Sequence, residues 1–237
     1  MLALQMSQVE TGYGKISVFQ NVNLKVHKAE IVTVVGPNGA GKTTLLKAIC
    51  GLLPLWHGEI YLWAEKVNDK PAHKRATHGV TLVPEGARVF GDLTVAENLE
   101  MGAFIRNDSA EVQRDLEMVL GLFPVLKERF KYKARQLSGG QRQMLAIGRG
   151  LMSKAGLILL DEPSLGLSPI LVEEVYEKLM AIRSMGTTIL LVEQAVKKAF
   201  EVADRGYVMA HGKIMAEGTV EKLAKEEQLL QAYFGAI

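Results

Sequence analysis

Nine consecutive residues in the first part of the chain have the types and spacing of a phosphate-binding loop. They are Gly36, Pro37, Asn38, Gly39, Ala40, Gly41, Lys42, Thr43 and Thr44. Glycines let the backbone curve until several N–H groups point at one anion, because no Cβ stands in the way. A helix that starts at residues 41–42 adds its positive dipole end. Lys42 supplies a compact charge for the β- and γ-phosphates, and the Thr43 hydroxyl can ligate Mg²⁺. The pattern predicts nucleotide binding.

The segments on either side of this loop decide against an ordinary glycine-rich turn. Residues 31–35 are a continuous β-branched run, which is typical of a strand buried on both faces. Residues 45–49 have the apolar spacing of a helix that ends near Gly51. Strand, loop and helix therefore follow in the order that a phosphate site requires.

An acidic pair, Asp161 and Glu162, follows the four apolar residues 157–160. The carboxyl ends of strands are where open α/β sheets bind ligands. Asp161 can hold the Mg²⁺ shell, and Glu162 can polarise the water that attacks the γ-phosphate. A solvated surface pair is the alternative interpretation.

A second candidate anion site lies at residues 138–141, which are Ser138, Gly139, Gly140 and Gln141. Ser138 and Gln141 have the spacing of a capping box. The two glycines leave the first N–H groups of the following helix open to an anion. A well-capped helix explains these residues by themselves, whereas a nearby phosphate loop favours a shared nucleotide site.

The composition is that of a globular protein of 237 residues, with 48% hydrophobic and 23% charged residues. A net charge of +2 gives no reason to expect nucleic acid as a partner. The single cysteine, Cys50, excludes an internal disulfide and favours a reducing cytosol. No apolar run approaches the ~18 residues of a membrane span. We therefore expect a cytoplasmic protein.

The first thirty residues alternate between apolar and polar, which predicts antiparallel strands broken by a turn at residues 11–14. Tyr13 lies in that predicted turn. An exposed tyrosine is a suitable surface for stacking a purine. A half-buried turn tyrosine fits the sequence as well.

Further elements must position these groups. Strands are predicted at residues 59–63, 80–83 and 187–192, and a hairpin at 207–217. From about residue 86 to residue 154 helix signals replace β-branched runs, which predicts a helical insertion. Its signals include a capping box at residues 94–97 and Ser109 as the cap of a second helix. Beyond the acidic pair, Ser168 is expected to cap a helix that starts at Pro169, and Thr219 to cap a closing helical tail.

With residues 36–44, 137–141 and 157–162 in this order, the chain resembles the ATP-binding-cassette (ABC) ATPases over nearly its whole length. Residues 36–43 match the Walker A motif, 137–141 the family signature and 157–161 the Walker B motif. Residues 164–168 match the loop that contacts the other subunit, and Tyr13 matches the adenine-stacking aromatic.

The resemblance implies an α/β fold in a single domain, residues 1–237. Residues 1–85 and 155–237 would form a P-loop NTPase core with a parallel sheet and an N-terminal antiparallel β subdomain. Residues 86–154 would form the inserted helical subdomain. It also implies ATP and Mg²⁺ as cofactors, and a homodimer or heterodimer in which ATP lies between the Lys42 loop and the partner's signature. Transmembrane permease subunits would grip the helical insertion, placing the chain on the inner face of the membrane.

Two positions depart from the usual family pattern. Glu85 stands where glutamine is usual, and Gln194 stands where histidine is usual. Glu85 can approach Mg²⁺, and Gln194 can donate a hydrogen bond to the γ-phosphate without titrating near neutral pH. With residues 98–104, these departures resemble the ATPase subunits of branched-chain amino-acid importers. A soluble ABC-type ATPase that acts on nucleic acid or ribosomes is the alternative, and a P-loop kinase or GTPase leaves the signature unexplained.

Overall fold

The computed structural model describes residues 1–225, which form two sheets and a group of helices. The strands are β1 Leu2–Tyr13, β2 Ile16–His27, β3 Ile31–Val35, β4 His57–Leu62, β5 Glu65–Lys66, β6 Val80–Val83, β7 Leu157–Asp161, β8 Thr188–Glu193, β9 Arg205–Ala210 and β10 Lys213–Thr219. The helices are α1 Lys42–Ile49, α2 Ala72–Thr77, α3 Val95–Gly102, α4 Ser109–Leu122, α5 Pro124–Glu128, α6 Gly139–Met152, α7 Pro169–Ser184, α8 Val196–Val202 and α9 Val220–Lys225.

The larger sheet positions the loop and the acidic pair. Its strand order is β10-β9-β3-β8-β7-β6, and all neighbours are parallel except β9 and β10. Every residue of β3, β7 and β8 is buried, as expected for parallel strands with both faces covered. The predicted strands at 31–35 and 80–83 are confirmed without a shift, and the predicted hairpin is β9–β10.

The smaller sheet is antiparallel, in the order β2-β1-β4-β5, as predicted for the N-terminal segment. The predicted turn at residues 11–14 is wrong, because β1 continues to Tyr13 and the chain reverses at residues 14–15. Gly12 pairs with Ser17 across the hairpin. A Cβ on Gly12 would lie 1.9 Å from the Ile16 carbonyl oxygen. This glycine therefore permits close strand pairing inside the hairpin.

Helices α3 to α6 lie between β6 and β7 in sequence. These helices pack closely around Gly148 of α6. A Cβ at this position would lie 3.0 Å from Val119 and 3.2 Å from Leu99. The predicted capping box of α3 is confirmed, because Thr94 and Glu97 exchange both hydrogen bonds. Ser109 as a helix cap is wrong, since Asp108 occupies the N-cap and Ser109 is the first helical residue.

The predictions for the two later helix caps differ in outcome. Ser168 occupies the N-cap of α7 and Pro169 its first position, but within the described residues the Ser168 side chain forms no capping hydrogen bond. The Thr219 hydroxyl accepts a long hydrogen bond of 3.4 Å from the Lys222 N–H, which agrees with its predicted role. The rest of the predicted tail, residues 226–237, lies outside the described residues.

A buried arginine, Arg75, hydrogen-bonds the carbonyl groups at the carboxyl end of α1. Arg75 is 2% exposed. Its Nη1 donates to the carbonyl oxygens of Ala48 and Ile49 at 2.8 and 2.9 Å. Its Nε and Nη2 donate to the carbonyl oxygens of Lys70 and Asn68 at 2.9 and 3.1 Å. The guanidinium thus satisfies helix-end carbonyls and ties α1 to the segment before α2.

Candidate nucleotide site

The loop between β3 and α1 has the close backbone approach that its glycines predict. A Cβ on Gly36 would lie 2.2 Å from the Met209 carbonyl oxygen of β9, so a side chain at this position would clash. Gly41 has a φ of 107°, in the region that favours glycine, immediately before α1. The first N–H groups of α1 have no partner within the helix and are directed toward the loop.

Lys42 lies inside this loop and is 4% exposed. Its Nζ donates to the carbonyl oxygens of Gly36 at 2.7 Å and Pro37 at 3.3 Å. It also pairs with Glu162 Oε1 at 3.1 Å. One ammonium group therefore connects the phosphate-binding loop with the acidic pair.

Asp161 ends β7 and faces α1. It is 3% exposed, and its Oδ1 accepts a hydrogen bond of 3.1 Å from the Thr43 hydroxyl. Burial raises the pKa of Asp161, the hydrogen bond from Thr43 opposes this, and the negative charges of Glu162 and Glu85 add to the rise. Neighbouring positive charge would hold this carboxyl ionised.

Glu162 has a left-handed backbone, with a φ of 45°. Its N–H donates to the Val192 carbonyl oxygen at 2.9 Å, which fixes the turn after β7 against β8. A non-glycine residue in this region costs on the order of 1 kcal/mol. In this conformation the carboxylate contacts Lys42 at 3.1 Å.

These groups surround a cavity of about 580 Å³. Its lining consists of residues 38–44 together with Val18, Glu85, Glu162 and Leu165. The predicted loop, Glu85 and Glu162 are thus brought together, and Asp161 reaches them through Thr43. The volume lies within the range of small-molecule sites.

Other predicted site residues do not line this cavity. Tyr13 ends β1 with 45% exposure, and its hydroxyl accepts a hydrogen bond of 3.3 Å from Lys47 of α1. Gln194 is exposed directly after β8.

The signature residues also lie apart from the cavity. Ser138 and Gln141 form the predicted capping box at the start of α6, with the Ser138 hydroxyl accepting from the Gln141 N–H at 3.3 Å. Ser138 and Gly139 are exposed, whereas Gly140 is buried. A Cβ on Gly140 would lie 2.8 Å from Leu171, so this glycine allows α6 to pack against α7.

The donor set fits Mg²⁺ that arrives with a nucleotide. Among residues 1–225, no group of three His, Cys, Asp or Glu side chains is placed to hold a metal ion by itself. Mg²⁺ is usually held by one or two carboxylates plus phosphates and water. The Thr43 hydroxyl and the Asp161 carboxylate supply such a partial set.

Val18 and Glu193 of this region were not predicted, and Leu165 was predicted only as part of the loop toward the other subunit. Val18 of β2 lines the cavity, and no local sequence pattern predicts this position. Glu193 ends β8 as a buried carboxylate. The rule that identified Asp161, an acid after a buried apolar strand, also fits Glu193.

Comparisons with known proteins agree with this geometry. A family model described as ABC transporter matches residues 19–165. The chain is 45% identical over 232 residues to the high-affinity branched-chain amino acid transport ATP-binding protein BraG of Pseudomonas aeruginosa, covering 98% of this chain and 99% of BraG. It is 37% identical over 235 residues to the probable branched-chain amino acid transport ATP-binding protein LivF of Archaeoglobus fulgidus, covering 99% of each.

A solved structure of a dimeric bacterial ABC transporter cassette matches with a TM-score of 0.81 and 26% identity, over 92% of this chain and 98% of that one. No helix within residues 1–225 is both long and apolar enough to span a membrane. The predicted α/β fold, with its parallel core, antiparallel β subdomain and helices, is confirmed. The chain therefore belongs to the ABC transporter family, as an ATP-binding subunit that hydrolyses ATP.

Proposed function

We propose that this chain powers a membrane importer for branched-chain amino acids from the inner face of the membrane. The observation that carries the substrate class is the 45% identity to BraG along almost the full length of both chains. Two cassettes, identical or different, would bind ATP between the loop of one and residues 138–141 of the other. Residues 138–141 are exposed in part and lie away from the cavity of their own chain, which supports a role toward a second subunit.

The cavity residues take the following roles in this proposal. Lys42 and the loop N–H groups bind the β- and γ-phosphates, and Thr43, Asp161 and Glu85 hold Mg²⁺. The metal would neutralise charge on the phosphates during transfer. Glu162 accepts a proton from the attacking water. Tyr13 stacks on adenine, and Gln194 donates a hydrogen bond to the γ-phosphate.

A groove beside the helical segment supports the proposed permease contact. It has a volume of about 280 Å³, and Phe90, Met101, Phe104 and Ile105 line it with exposed apolar surface. Arg149 also lines the groove, with its guanidinium 5.0 Å from the Phe90 ring centre. The Arg149 Nη1 is buried and has no hydrogen-bond partner within residues 1–225. The exposed apolar surface of this groove fits an apolar helix of the permease.

The importer can be tested by placing the chain and its permease in proteoliposomes. We expect ATP-driven uptake of leucine, isoleucine or valine, and crosslinking of the permease to Phe104→Cys. Ile16→Cys is the matched control, since Ile16 is 74% and Phe104 79% exposed. If the permease crosslinks to this chain only outside residues 85–105, the docking site is refuted. If ATP drives uptake of other solutes but not of these three amino acids, the substrate class is refuted.

Glu85→Gln is expected to strengthen ATP binding relative to the unmodified protein when Mg²⁺ is chelated. Glu85 lines the cavity and adds negative charge near Asp161, so it repels an uncomplexed triphosphate. A change of ~1 kcal/mol in electrostatic free energy corresponds to about fivefold in Kd. Titration of fluorescent ATP with and without EDTA measures it, with the exposed Glu128→Gln as control. Equal Kd values for Glu85→Gln and the unmodified protein without Mg²⁺ would contradict the expectation.

A further inference from the structure

Glu193 is a buried carboxylate that the proposed chemistry does not use. It is the last residue of β8, is 2% exposed, and lies in register with Val35 at the end of β3. Its Oε1 accepts hydrogen bonds from the Tyr176 hydroxyl at 3.0 Å and the Ser164 N–H at 3.1 Å. Its Oε2 accepts from the Gln194 N–H at 3.2 Å. Burial raises the pKa of Glu193, and the hydrogen bonds from Ser164 oppose that rise.

These hydrogen bonds continue the pairing of β7 and β8 beyond the ends of the strands. The last register pair is Asp161 with Val192. The Glu162 N–H then donates to the Val192 carbonyl oxygen at 2.9 Å. Two residues later the Ser164 N–H donates to the Glu193 side chain. The chain is therefore attached to β8 on both sides of the Glu162 side chain.

Glu162 needs such support because its backbone is left-handed. A residue held in a sparsely populated conformation persists only where the surrounding structure determines it. Without the anchor at Ser164, the segment after Glu162 keeps its own turn hydrogen bond, from the Leu165 N–H to the Glu162 carbonyl oxygen at 3.1 Å, and is no longer attached to β8. Glu162 can then relax toward ordinary φ values. The carboxylate would then turn away from Lys42 and from the cavity.

We propose that Glu193 is a positioning residue for ATP hydrolysis, which holds Glu162 toward the phosphates through the Ser164 N–H. Tyr176 of α7 orients the Glu193 carboxylate through its hydroxyl. The hydrogen bond from the Ser164 N–H to Glu193 also positions the start of the 164–168 segment. Leu165 of this segment lines the cavity. The inference rests on the proposed role of Glu162 as the group that activates water.

The main test is Glu193→Ala, with hydrolysis and ATP affinity measured separately. We expect kcat to fall ~10²-fold, as for a misplacement of about 1 Å, while the Kd for ATP stays within about twofold. Glu193→Gln should retain part of the activity, because its amide oxygen still accepts one hydrogen bond. Thr33→Val is the matched control. Thr33 is a fully buried polar residue of the same sheet, with no hydrogen-bond partner for its hydroxyl within residues 1–225.

A double-variant cycle separates positioning from a general loss of stability. In a Glu162→Gln background, Glu193→Ala should lower single-turnover hydrolysis by less than about twofold, because its effect runs through Glu162. A further full ~10²-fold drop in that background would overturn the inference. An unchanged kcat in Glu193→Ala would also overturn it.

If Glu193→Ala fails to fold, Glu193→Gln and Tyr176→Phe decide the matter. Lower kcat with unchanged Kd in both would support positioning, whereas native kcat in both would refute it. Full turnover in Glu162→Gln alone would refute the role of Glu162 in the proposed function. Full turnover in the Glu193 variants, with Glu162→Gln impaired, would refute only the role of Glu193.

Discussion

Glu162→Gln is expected to lower kcat by ~10²–10⁴-fold, the range for loss of a general base, while ATP still binds. The amide has nearly the shape of the carboxylate but cannot accept the proton of the attacking water at neutral pH. Lys42 loses its ion-pair partner at 3.1 Å and keeps its contact with the loop carbonyls. The cavity also loses one negative charge, so phosphate binding should not weaken.

The measurement compares steady-state hydrolysis with ATP affinity, and size-exclusion chromatography with ATP follows the dimer. The variant should accumulate as an ATP-bound dimer, since binding persists and turnover stops. Glu128→Gln serves as the control, because Glu128 is an exposed carboxylate at the end of α5. Turnover like that of the unmodified protein in Glu162→Gln would remove this side chain from the mechanism.

Arg75→Met is expected to destabilise the protein by ~3–5 kcal/mol. Four carbonyl oxygens lose the guanidinium as a donor, and of these the Ala48 oxygen keeps a hydrogen bond from the Gly51 N–H at 3.1 Å. Each buried group left unsatisfied costs roughly 1–3 kcal/mol before local relaxation or water offsets part of it. In a chain of this size, this corresponds to a fall in Tm on the order of 10 °C. Thermal and urea unfolding measure the change.

An exposed arginine provides the control for Arg75. Arg114 on α4 donates one exposed hydrogen bond of 3.3 Å to the Ala110 carbonyl oxygen. Arg114→Met should therefore change stability by less than about 0.5 kcal/mol. If Arg75→Met loses no more than Arg114→Met, solvent or neighbouring groups satisfy the four carbonyls equally well.

The sequence predicted correctly those elements that are determined by a few neighbouring residues. The β-branched run of β3 and the capping boxes at Thr94 and Ser138 need only neighbouring residues, and the structure has all three. The turn at 11–14 was wrong because the conformation of Gly12 depends on its pairing with Ser17 in the next strand. The prediction of Ser109 as a cap was wrong because Asp108 occupies the N-cap position before it. The Asp108 carboxylate pairs with Arg106 and forms no capping hydrogen bond within the described residues.

The candidate site was predictable where it follows from strand ends. Lys42, Asp161 and Glu162 meet because parallel strands place their carboxyl ends at one edge of the sheet. Val18 lines the same cavity from β2, and no local pattern in the first strands indicates this. The signature at Ser138 was predicted to serve a second subunit, and its contacts there remain a prediction.

The connection between β6 and β7 has a consequence for local unfolding. Within residues 1–225, β6 is hydrogen-bonded to one strand of the sheet, β7, and residues 84–156 separate the two strands. Those residues fold into α3 to α6, so β6 gains no second partner strand from the segment that follows it. Among the parallel strands, β6 should therefore have the lowest free energy of opening and the fastest amide hydrogen exchange. Glu85 follows β6 by two residues, so the carboxylate on this wall of the cavity is carried by the strand that detaches first.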